Sequence, residues 1–365
     1  MTEHSAPSEW YNEQVSHFIH IVFNRGSPCF KKDTGGMGYE PLFKGRGTNM
    51  TQEPIFLQPV CKEKIWGGTL LRERFGYDIP SETTGECWAI SAHPHGMSTV
   101  KSGPYQGKTL MELWDQHREL FGGTEGDRFP LLTKILDVKH HLSVKVHPDD
   151  YDAEEHGQGE TGKSECWYII DCKENAEIIY GHTARSKAEL VTMINSGDWE
   201  GLLRRVKIKP GDFYYVPSGT IHAICAGALV LEIQQNSDAA YRIYDYGRTD
   251  QNGGARELHI RDAVNAATVP HVDGFLDEST ETRKGITIKT FVQGEYFSVY
   301  KWDISGTAEM TQDAPFMLCS VTEGSGSIIF EGKSAKLEKG AHFILPDQMP
   351  DFTINGDCTI IVSHI

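Results

Sequence analysis

The sequence lacks an apolar run long enough to cross a membrane. Its longest such run, Ala223 to Leu231, has nine residues, whereas a transmembrane helix needs about 20. The chain also opens without the basic segment and apolar stretch of a secretory signal. We therefore expect no membrane association.

The spacing of the cysteines does not indicate a disulfide framework. The 8 cysteines are scattered along the chain and none belongs to a CxxC pair. A disulfide scaffold is typical of small secreted domains, and a chain of 365 residues has other sources of stability. A reducing, cytoplasmic location is the prediction.

Positive charge is scarce as well. Lysine and arginine number 35 against 51 aspartates and glutamates, which gives a net charge of -16. Such a surface repels nucleic acid. An anionic substrate would need a local basic pocket. The few lysines and arginines near a candidate site are therefore candidate substrate contacts.

The chain does contain many short strand-like runs. HLSVKVH, CWYII, AEIIY, FYYV, ALVLEI and TIIV are separated by glycine, aspartate and proline. This pattern is typical of β-barrels or sandwiches rather than of a parallel α/β fold. Near-helical apolar spacing adds helices in residues 104–122, 186–205 (with Ser186 as N-cap) and 257–267.

An internal repeat supports a duplicated β-fold. Residues 206–222 align without a gap with residues 335–351, so that Gly211 meets Gly340 and Pro217 meets Pro346. Each copy has the order strand, glycine turn, strand, proline turn. We therefore predict a mainly β protein with two related β-barrels and a few added α-helices. The spacing Gly211-x5-Pro217-x-Gly219-x2-His222 in the first copy resembles a cupin motif, which implies barrels of the cupin, jelly-roll type.

This fold divides the chain into three parts. Residues 50–270 are predicted to form a metal-binding catalytic domain with helical insertions, and residues 271–365 a second barrel without metal. Residues 1–49 lack apolar periodicity, so we expect a disordered or non-native extension. A chain starting at Met50 should then fold and function. The alternative is a helix near residues 13–24 that docks on the barrels.

The first copy of the repeat contains a metal-site pattern. Gly211, Pro217 and Gly219 shape two turns before His222, and this spacing resembles the second motif of the cupin superfamily, whose histidine is a metal ligand. Upstream, His147 closes one strand and Glu165 opens another. Two imidazoles and a carboxylate suit a catalytic zinc ion that keeps an open position.

Several blocks of sequence resemble one enzyme family. They are KIWGG (64–68), TGECWAIS (84–91), the stretch 129–150, GKSECWYII (162–170), PSGTIHAI (217–224) and the stretch 232–248. In this order, over about residues 53–365, they are similar to type I mannose-6-phosphate isomerases of the short bacterial form. The resemblance implies interconversion of mannose 6-phosphate and fructose 6-phosphate through a cis-enediol. It also implies one zinc ion on His147, Glu165 and His222, and a catalytic or substrate-contacting Arg242.

One position departs from the family. Many members have a glutamine two residues before the first ligand histidine, where it can coordinate zinc, and this chain has Lys145. Because residues two apart in a strand share a face, Lys145 should point toward the pocket with His147. A protonated lysine cannot ligate zinc, so either zinc has three protein ligands here or Lys145 swings away. The lysine could instead attract the anionic substrate.

The remaining roles are hypotheses about charged residues. Lys163 and Asp238 are both candidates for proton transfer, and a nearby dication would depress the pKa of Lys163. Arg242 could bind the phosphate bidentately, with Lys134 and Ser143 as further substrate contacts. The second repeat has Asp351 where the first has His222, so that barrel is expected to be structural.

Two other functions compete with the isomerase. A metal-dependent cupin oxygenase would use the same ligands but has no general need of Lys134, Lys163 and Arg242. A sugar-phosphate sensor would keep the site without turnover. The expected partner is a small phosphosugar, with neither nucleic acid nor membrane, and the chain is a monomer or a homodimer.

Overall fold

The structure is a computed structural model that describes residues 52–156, 160–249 and 253–365. The prediction of a disordered or non-native extension in residues 1–49 lies outside these ranges.

The described residues form twenty β-strands, six short α-helices and one 3-10 helix, Arg118–Phe121. The strands are β1 Ile55–Gln58, β2 Val60–Gly68, β3 Thr84–Ile90, β4 Thr99–Val100, β5 Leu131–Val138, β6 Val144–Val146, β7 Glu165–Cys172, β8 Glu177–His182, β9 Leu203–Lys207, β10 Phe213–Val216, β11 His222–Ile224, β12 Ala228–Gln235, β13 Tyr241–Tyr244, β14 Ser279–Arg283, β15 Ile286–Gln293, β16 Ser298–Met310, β17 Met317–Phe330, β18 Lys333–Glu338, β19 His342–Leu345 and β20 Phe352–His364. The helices are α1 Leu70–Phe75, α2 Leu110–Gln116, α3 Asp150–His156, α4 Lys187–Ser196, α5 Trp199–Leu202 and α6 Ile260–Ala266.

The strands pair in three antiparallel sheets. A six-stranded sheet has the order β10-β7-β12-β5-β3-β2, and a five-stranded sheet the order β13-β6-β11-β8-β9. A nine-stranded sheet has the order β14-β15-β16-β20-β17-β19-β1-β4, with β18 added to β17. The N-terminal strand β1 thus pairs with β19 near the other end of the chain.

The mainly β prediction is confirmed, but the prediction of two jelly-roll β-barrels is not. Each sheet is open, since within the described residues the two end strands of its order each pair with one neighbour only. The six- and five-stranded sheets are joined by side-chain packing instead of by hydrogen bonds between their edges. Their shared core includes Trp167, Ile169 and Val230 from one sheet and Ile178 and Ile224 from the other.

Strand β7 shows how the layers stack. Its first six residues, Glu165 to Ile170, are all buried, because successive side chains point to opposite faces and both faces are covered. Trp167 and Ile169 pack in the core between the six- and five-stranded sheets. Cys166 and Tyr168 pack in a second core with residues of the nine-stranded sheet. The six-stranded sheet is therefore the middle layer.

The internal repeat appears as two similar pairs of strands. Gly211 lies between β9 and β10 with φ 90°, and Gly340 lies between β18 and β19 with φ 85°. Both need a left-handed backbone that glycine adopts readily. The pairing differs, because β9 and β10 belong to different sheets whereas β18 and β19 both pair with β17.

The helices are shorter than predicted. In place of one helix over residues 104–122, α2 spans Leu110–Gln116 and the 3-10 helix follows. A capping box between Thr109 and Glu112 starts α2, and Gly107, at φ 84°, lies in the turn before it. Ser186 caps α4 as predicted. Within the described ranges, no helix has the length and apolar character that spanning a bilayer requires.

A buried hydrogen-bonded chain joins the α1–β3 connection to the nine-stranded sheet. The Tyr77 hydroxyl donates to the carbonyl of Gly340 (2.9 Å) and lies 2.7 Å from His342 Nε2. His342 Nδ1 lies 2.9 Å from the Ser320 hydroxyl. Because Tyr77 already donates its proton, His342 donates from Nε2 and accepts at Nδ1. Burial lowers the pKa of His342 to about 3, so the ring stays neutral.

This chain predicts a stability effect. Replacing Tyr77 with phenylalanine leaves the Gly340 carbonyl and the His342 ring N–H without their partner, and should lower the free energy of unfolding by about 1–3 kcal/mol. Urea unfolding measures the loss. Tyr151→Phe is the matched control, since Tyr151 is 71% exposed and its loss should change stability by less than about 0.5 kcal/mol. Equal stability of the two variants would contradict the interpretation.

Candidate active site

Three buried side chains from three strands meet between the six- and five-stranded sheets. His147 follows the end of β6, Glu165 opens β7 and His222 opens β11. Their candidate ligand atoms all lie within 4.8 Å of one another. In a search of the described histidine, cysteine, aspartate and glutamate side chains, these three are the group close enough together to hold one metal ion. Asp351, the counterpart of His222 in the repeat, is exposed and lies outside any such cluster.

Both imidazoles turn Nε2 toward the carboxylate of Glu165. His147 Nε2 lies 3.3 Å from Glu165 Oε2, and His222 Nε2 lies 3.5 Å from Glu165 Oε1. The other ring nitrogens face backbone carbonyls, His147 Nδ1 at 2.6 Å from Ala239 and His222 Nδ1 at 2.8 Å from Thr220. A carbonyl only accepts, so each Nδ1 carries the proton and each Nε2 presents a lone pair.

The protonation states suit a cation. Burial lowers the pKa of His147 well below its usual value and that of His222 to about 4. Burial raises the pKa of Glu165, but the attraction of Lys163 and then of His147 outweighs it and holds the pKa well below the usual value. Metal ligands must be neutral imidazoles and ionised carboxylates. His222 Nε2 is also buried without a hydrogen-bond partner, so these residues fit a divalent metal.

Lys163 flanks this cluster. Its ammonium lies 2.7 Å from Glu165 Oε2 and 3.9 Å from Glu232 Oε1. Burial lowers the pKa of Lys163, yet the attraction of Glu165 and then of Glu232 outweighs burial, and the pKa is raised. The expected depression of this pKa depends on a nearby dication and stays a prediction.

Sequence reasoning missed Glu232. It lies in β12 directly opposite Lys134 of β5 and Trp167 of β7. Lys134 Nζ lies 3.7 Å from its Oε1, and Trp167 Nε1 donates to its Oε2 at 3.3 Å. A lone carboxylate in the apolar run ALVLEI is the sequence signal that could have found it, because a charged residue is seldom buried without a partner. Burial, followed by the charge of Glu165, raises the pKa of Glu232.

Register builds one polar row across the six-stranded sheet. Trp88 lies opposite Lys134, Lys134 opposite Glu232, and Glu232 opposite Trp167. The Lys134 ammonium lies 4.7 Å from the centre of the Trp88 ring, in cation–π range. Directly opposed residues share a face, so these four side chains line the same side of the sheet.

A second row crosses the five-stranded sheet. Arg242 lies opposite Lys145, and Lys145 lies opposite His222. The ring of His222 lies 5.4 Å from that of Trp167, which shows that the two rows face each other. Lys145, the departure from the family pattern, is half-buried beside the cluster. Burial and then Lys163 lower its pKa, against the attraction of Glu165.

Asp238 lies at the exposed rim of this site. Its side chain is 46% exposed, and its Oδ2 lies 3.6 Å from His95 Nδ1. Burial raises its pKa, but the charges of Lys134 and Lys163 outweigh that effect and lower the pKa to about 2. Asp238 is therefore an ionised carboxylate on the same side as both lysines.

Arg242 and Ser143 are neighbours as well. Arg242 Nε donates to the Ser143 hydroxyl at 3.4 Å, and its Nη1 donates to the carbonyl of Glu257 at 2.7 Å. Burial, followed by the nearby Arg256, lowers the pKa of Arg242. Hydrogen bonds to Ser143 and Glu257 hold this half-buried guanidinium in place, and Arg256 adds positive charge beside it. Such an environment favours an anion.

Two family descriptions and several relatives match this chain. The family description "Phosphomannose isomerase type I, catalytic domain" matches residues 55–187, and "Mannose-6-phosphate isomerase, cupin domain" matches residues 287–365. The relative YvyI of Bacillus subtilis is 78% identical over 316 residues, which cover 87% of this chain and 100% of the relative. Mannose-6-phosphate isomerase ManA of the same organism is 54% identical, with coverage of 87% and 100%.

Solved structures give the same picture. The crystal structure of the mannose 6-phosphate isomerase from Bacillus subtilis is similar with a TM-score of 0.85 and 78% identity, and the match covers 86% of this chain and 100% of that one. A mannosephosphate isomerase structure from Archaeoglobus fulgidus, 24% identical with a TM-score of 0.68, covers 87% and 99% and shares the fold.

The cluster predicts how the protein retains metal. Structural zinc sites with four ligands contribute about 10–16 kcal/mol, so removal of one ligand of three should weaken binding by a factor on the order of 100 or more. We expect this loss for His147→Ala and for His222→Ala in a chelator competition with Zn²⁺. His140→Ala, at an exposed position outside the cluster, should bind like the native protein. Stoichiometric metal in either ligand variant would refute the assignment.

Proposed function

The chain belongs to the type I phosphomannose isomerase family, and on that premise we propose that it interconverts mannose 6-phosphate and fructose 6-phosphate with one zinc ion. The observation that carries the proposal is the buried cluster of two imidazole Nε2 atoms and one carboxylate within 4.8 Å. The two polar rows beside it supply the cations that a phosphorylated sugar needs in a chain of net charge -16. An oxygenase has no general need of these cations.

The donor set favours zinc. Two imidazoles and one carboxylate, with an open position, are typical of catalytic Zn²⁺. We assign His147, Glu165 and His222 as the ligands, because Lys145 cannot ligate while protonated. When bound, the ion supplies Lewis-acid polarisation of the substrate oxygens.

We assign the proton transfer between carbons to Asp238. The Asp238 carboxylate is ionised at neutral pH, because Lys134 and Lys163 lower its pKa to about 2, although so low a pKa makes it a weak base. Lys163 remains the alternative base, because a dication on Glu165 would lower its pKa. Asp238 would take the proton from C2 of the aldose and return it to C1 of the cis-enediol, while a second proton moves from O2 to O1.

The lysines have an electrostatic role in this scheme. Lys163 and Lys134 both lie within 4 Å of Glu232, and they offset the negative charge that develops on the enediolate oxygens. Lys134 is only 3% exposed. Its position between Glu232 and Trp88 directs the ammonium into the site as a substrate contact.

Arg242 and Ser143 are proposed to bind the phosphate. The guanidinium offers donors in a planar fork that matches phosphate oxygens, and the Ser143 hydroxyl adds a neutral donor. All proposed site residues lie in residues 50–270. We therefore retain that part as the catalytic domain and residues 271–365 as a domain without metal, in a cytoplasmic enzyme.

The phosphate assignment predicts selectivity. Arg242→Ala should lower kcat/KM for mannose 6-phosphate by about ten- to a hundredfold, because a charged hydrogen bond contributes about 1.5–3 kcal/mol. A coupled assay of fructose 6-phosphate measures this. Metal content should not change, and Arg72→Ala, at a 52% exposed side chain, should behave as the native enzyme. Native turnover of unphosphorylated mannose at the same kcat/KM would refute a phosphate pocket.

The base assignment predicts an isotope result. Asp238→Asn should lower turnover by about 10²–10⁴-fold and slow exchange of the C2 hydrogen with deuterated water to the same extent, with metal retained. Exchange is followed by NMR, and Asp277→Asn, at an exposed position, is the control. If Asp238→Asn keeps both rates while Lys163→Gln loses them, Lys163 is the base.

A further inference from the structure

Two cysteines lie directly opposite each other at one edge of the six-stranded sheet. Cys61 of β2 pairs with Cys87 of β3, and the flanking pairs Val60 with Trp88 and Lys62 with Glu86 fix the register. Directly opposed residues of an antiparallel pair project to the same face. Both thiols therefore point away from the metal cluster, into the core shared with the nine-stranded sheet.

The two thiols are neighbours across the strand pair. The Cys87 thiol lowers the pKa of Cys61, although burial and Asp78 act in the other direction. Burial raises the pKa of Cys87 well above its usual value. Cys61 is half-buried whereas Cys87 is fully buried. Cys61 is thus the more reactive and more accessible thiol.

The other cysteines that lie in the described strands have different neighbours across the strands. Cys166 lies opposite Tyr215 and Ile233, and Cys172 lies opposite Ala228. In the nine-stranded sheet, Cys319 lies opposite Val362 and Phe343, and Cys358 lies opposite Ile304 and Gly324. The Cys61–Cys87 contact is therefore specific to this strand pair.

We propose that Cys61 and Cys87 are a modification site, where a low-molecular-weight disulfide such as oxidised glutathione converts them into a reversible intrachain disulfide. The Cys61 thiolate attacks one sulfur of the external disulfide and expels the first small thiolate. Cys87 then gives its proton to water and attacks Cys61 Sγ, which expels the second. Two protein thiols are oxidised by two electrons in total, and the external disulfide is reduced to two thiols.

The strand geometry makes this bond easy to reduce again. Directly opposed residues have Cα atoms about 4.5–5.5 Å apart, inside the range of about 4.4–6.8 Å that disulfides span. Their Cβ atoms are typically about 4.5–5.5 Å apart, against about 3.8 Å in a disulfide, so the strands must move closer. Strained disulfides have more oxidising potentials, which suits a reversible link rather than a structural one.

The experiment treats the zinc-loaded full chain with oxidised glutathione under native conditions, followed by alkylation and mass spectrometry. We expect a product lighter by two hydrogens, in which trypsin leaves residues 47–62 joined to residues 75–101. Dithiothreitol should restore the starting mass. Crosslinking at Cys61 should proceed at least about tenfold faster than glutathione addition at Cys172, whose pKa is raised.

Matched variants identify the order of the steps. Cys87→Ser, or Cys87→Ala if the serine variant does not fold, should stop at a glutathione adduct on Cys61. Cys61→Ser should give neither adduct nor link at Cys87, and Cys172→Ser should crosslink as the native chain does. A link that forms only in denaturant, or a stable Cys61 adduct in the native chain, would overturn the proposal. These readouts do not use turnover, so they stand apart from the test of the isomerase.

Discussion

The ionised carboxylate of Glu165, buried between two β-sheets, is the constraint on which the site depends. At 1% exposure its charge is costly unless cations or strong donors surround it. Lys163 and the indole N–H of Trp167 provide that environment, at 2.7 Å and 3.1 Å. The two imidazoles instead face the carboxylate with Nε2 lone pairs, at 3.3 Å and 3.5 Å. The buried carboxylate and both lone pairs are therefore arranged around a position that suits a cation.

Strand register places two rows of polar and charged residues beside this carboxylate. The rows Trp88–Lys134–Glu232–Trp167 and Arg242–Lys145–His222 are formed by residues directly opposite one another. A shift of one residue in β12 would turn Glu232 into the apolar core on the other face. The residues on either side of Glu232 in β12, Leu231 and Ile233, are buried in that core. Hydrophobic packing thus holds the charged residues in register.

Local charge is opposite to that of the whole chain. The protein carries a net charge of -16, yet Lys62, Lys64, Lys134 and Lys163 converge on the side of the sheet that Trp88 and Glu232 share. This convergence lowers the pKa of Asp238 to about 2 and keeps a carboxylate ionised at the rim of the site. The rim of the site therefore presents cations together with an ionised carboxylate.

The mainly β class, the repeat around Gly211 and Gly340, and the candidate ligands His147, Glu165 and His222 could be predicted from the chain itself. These features follow from alternation, turn residues and short-range spacing, which are local properties of the chain. The helix predicted over residues 104–122 is shorter for a local reason too, because Gly107 at φ 84° and the capping box of Thr109 and Glu112 place its start at Leu110. Local patterns could not show that the sheets are open, that β1 joins β19, or that Glu232 lies between Lys134 and Lys163. Strand pairing and the meeting of residues about 100 positions apart depend on packing between sheets, which local patterns do not encode.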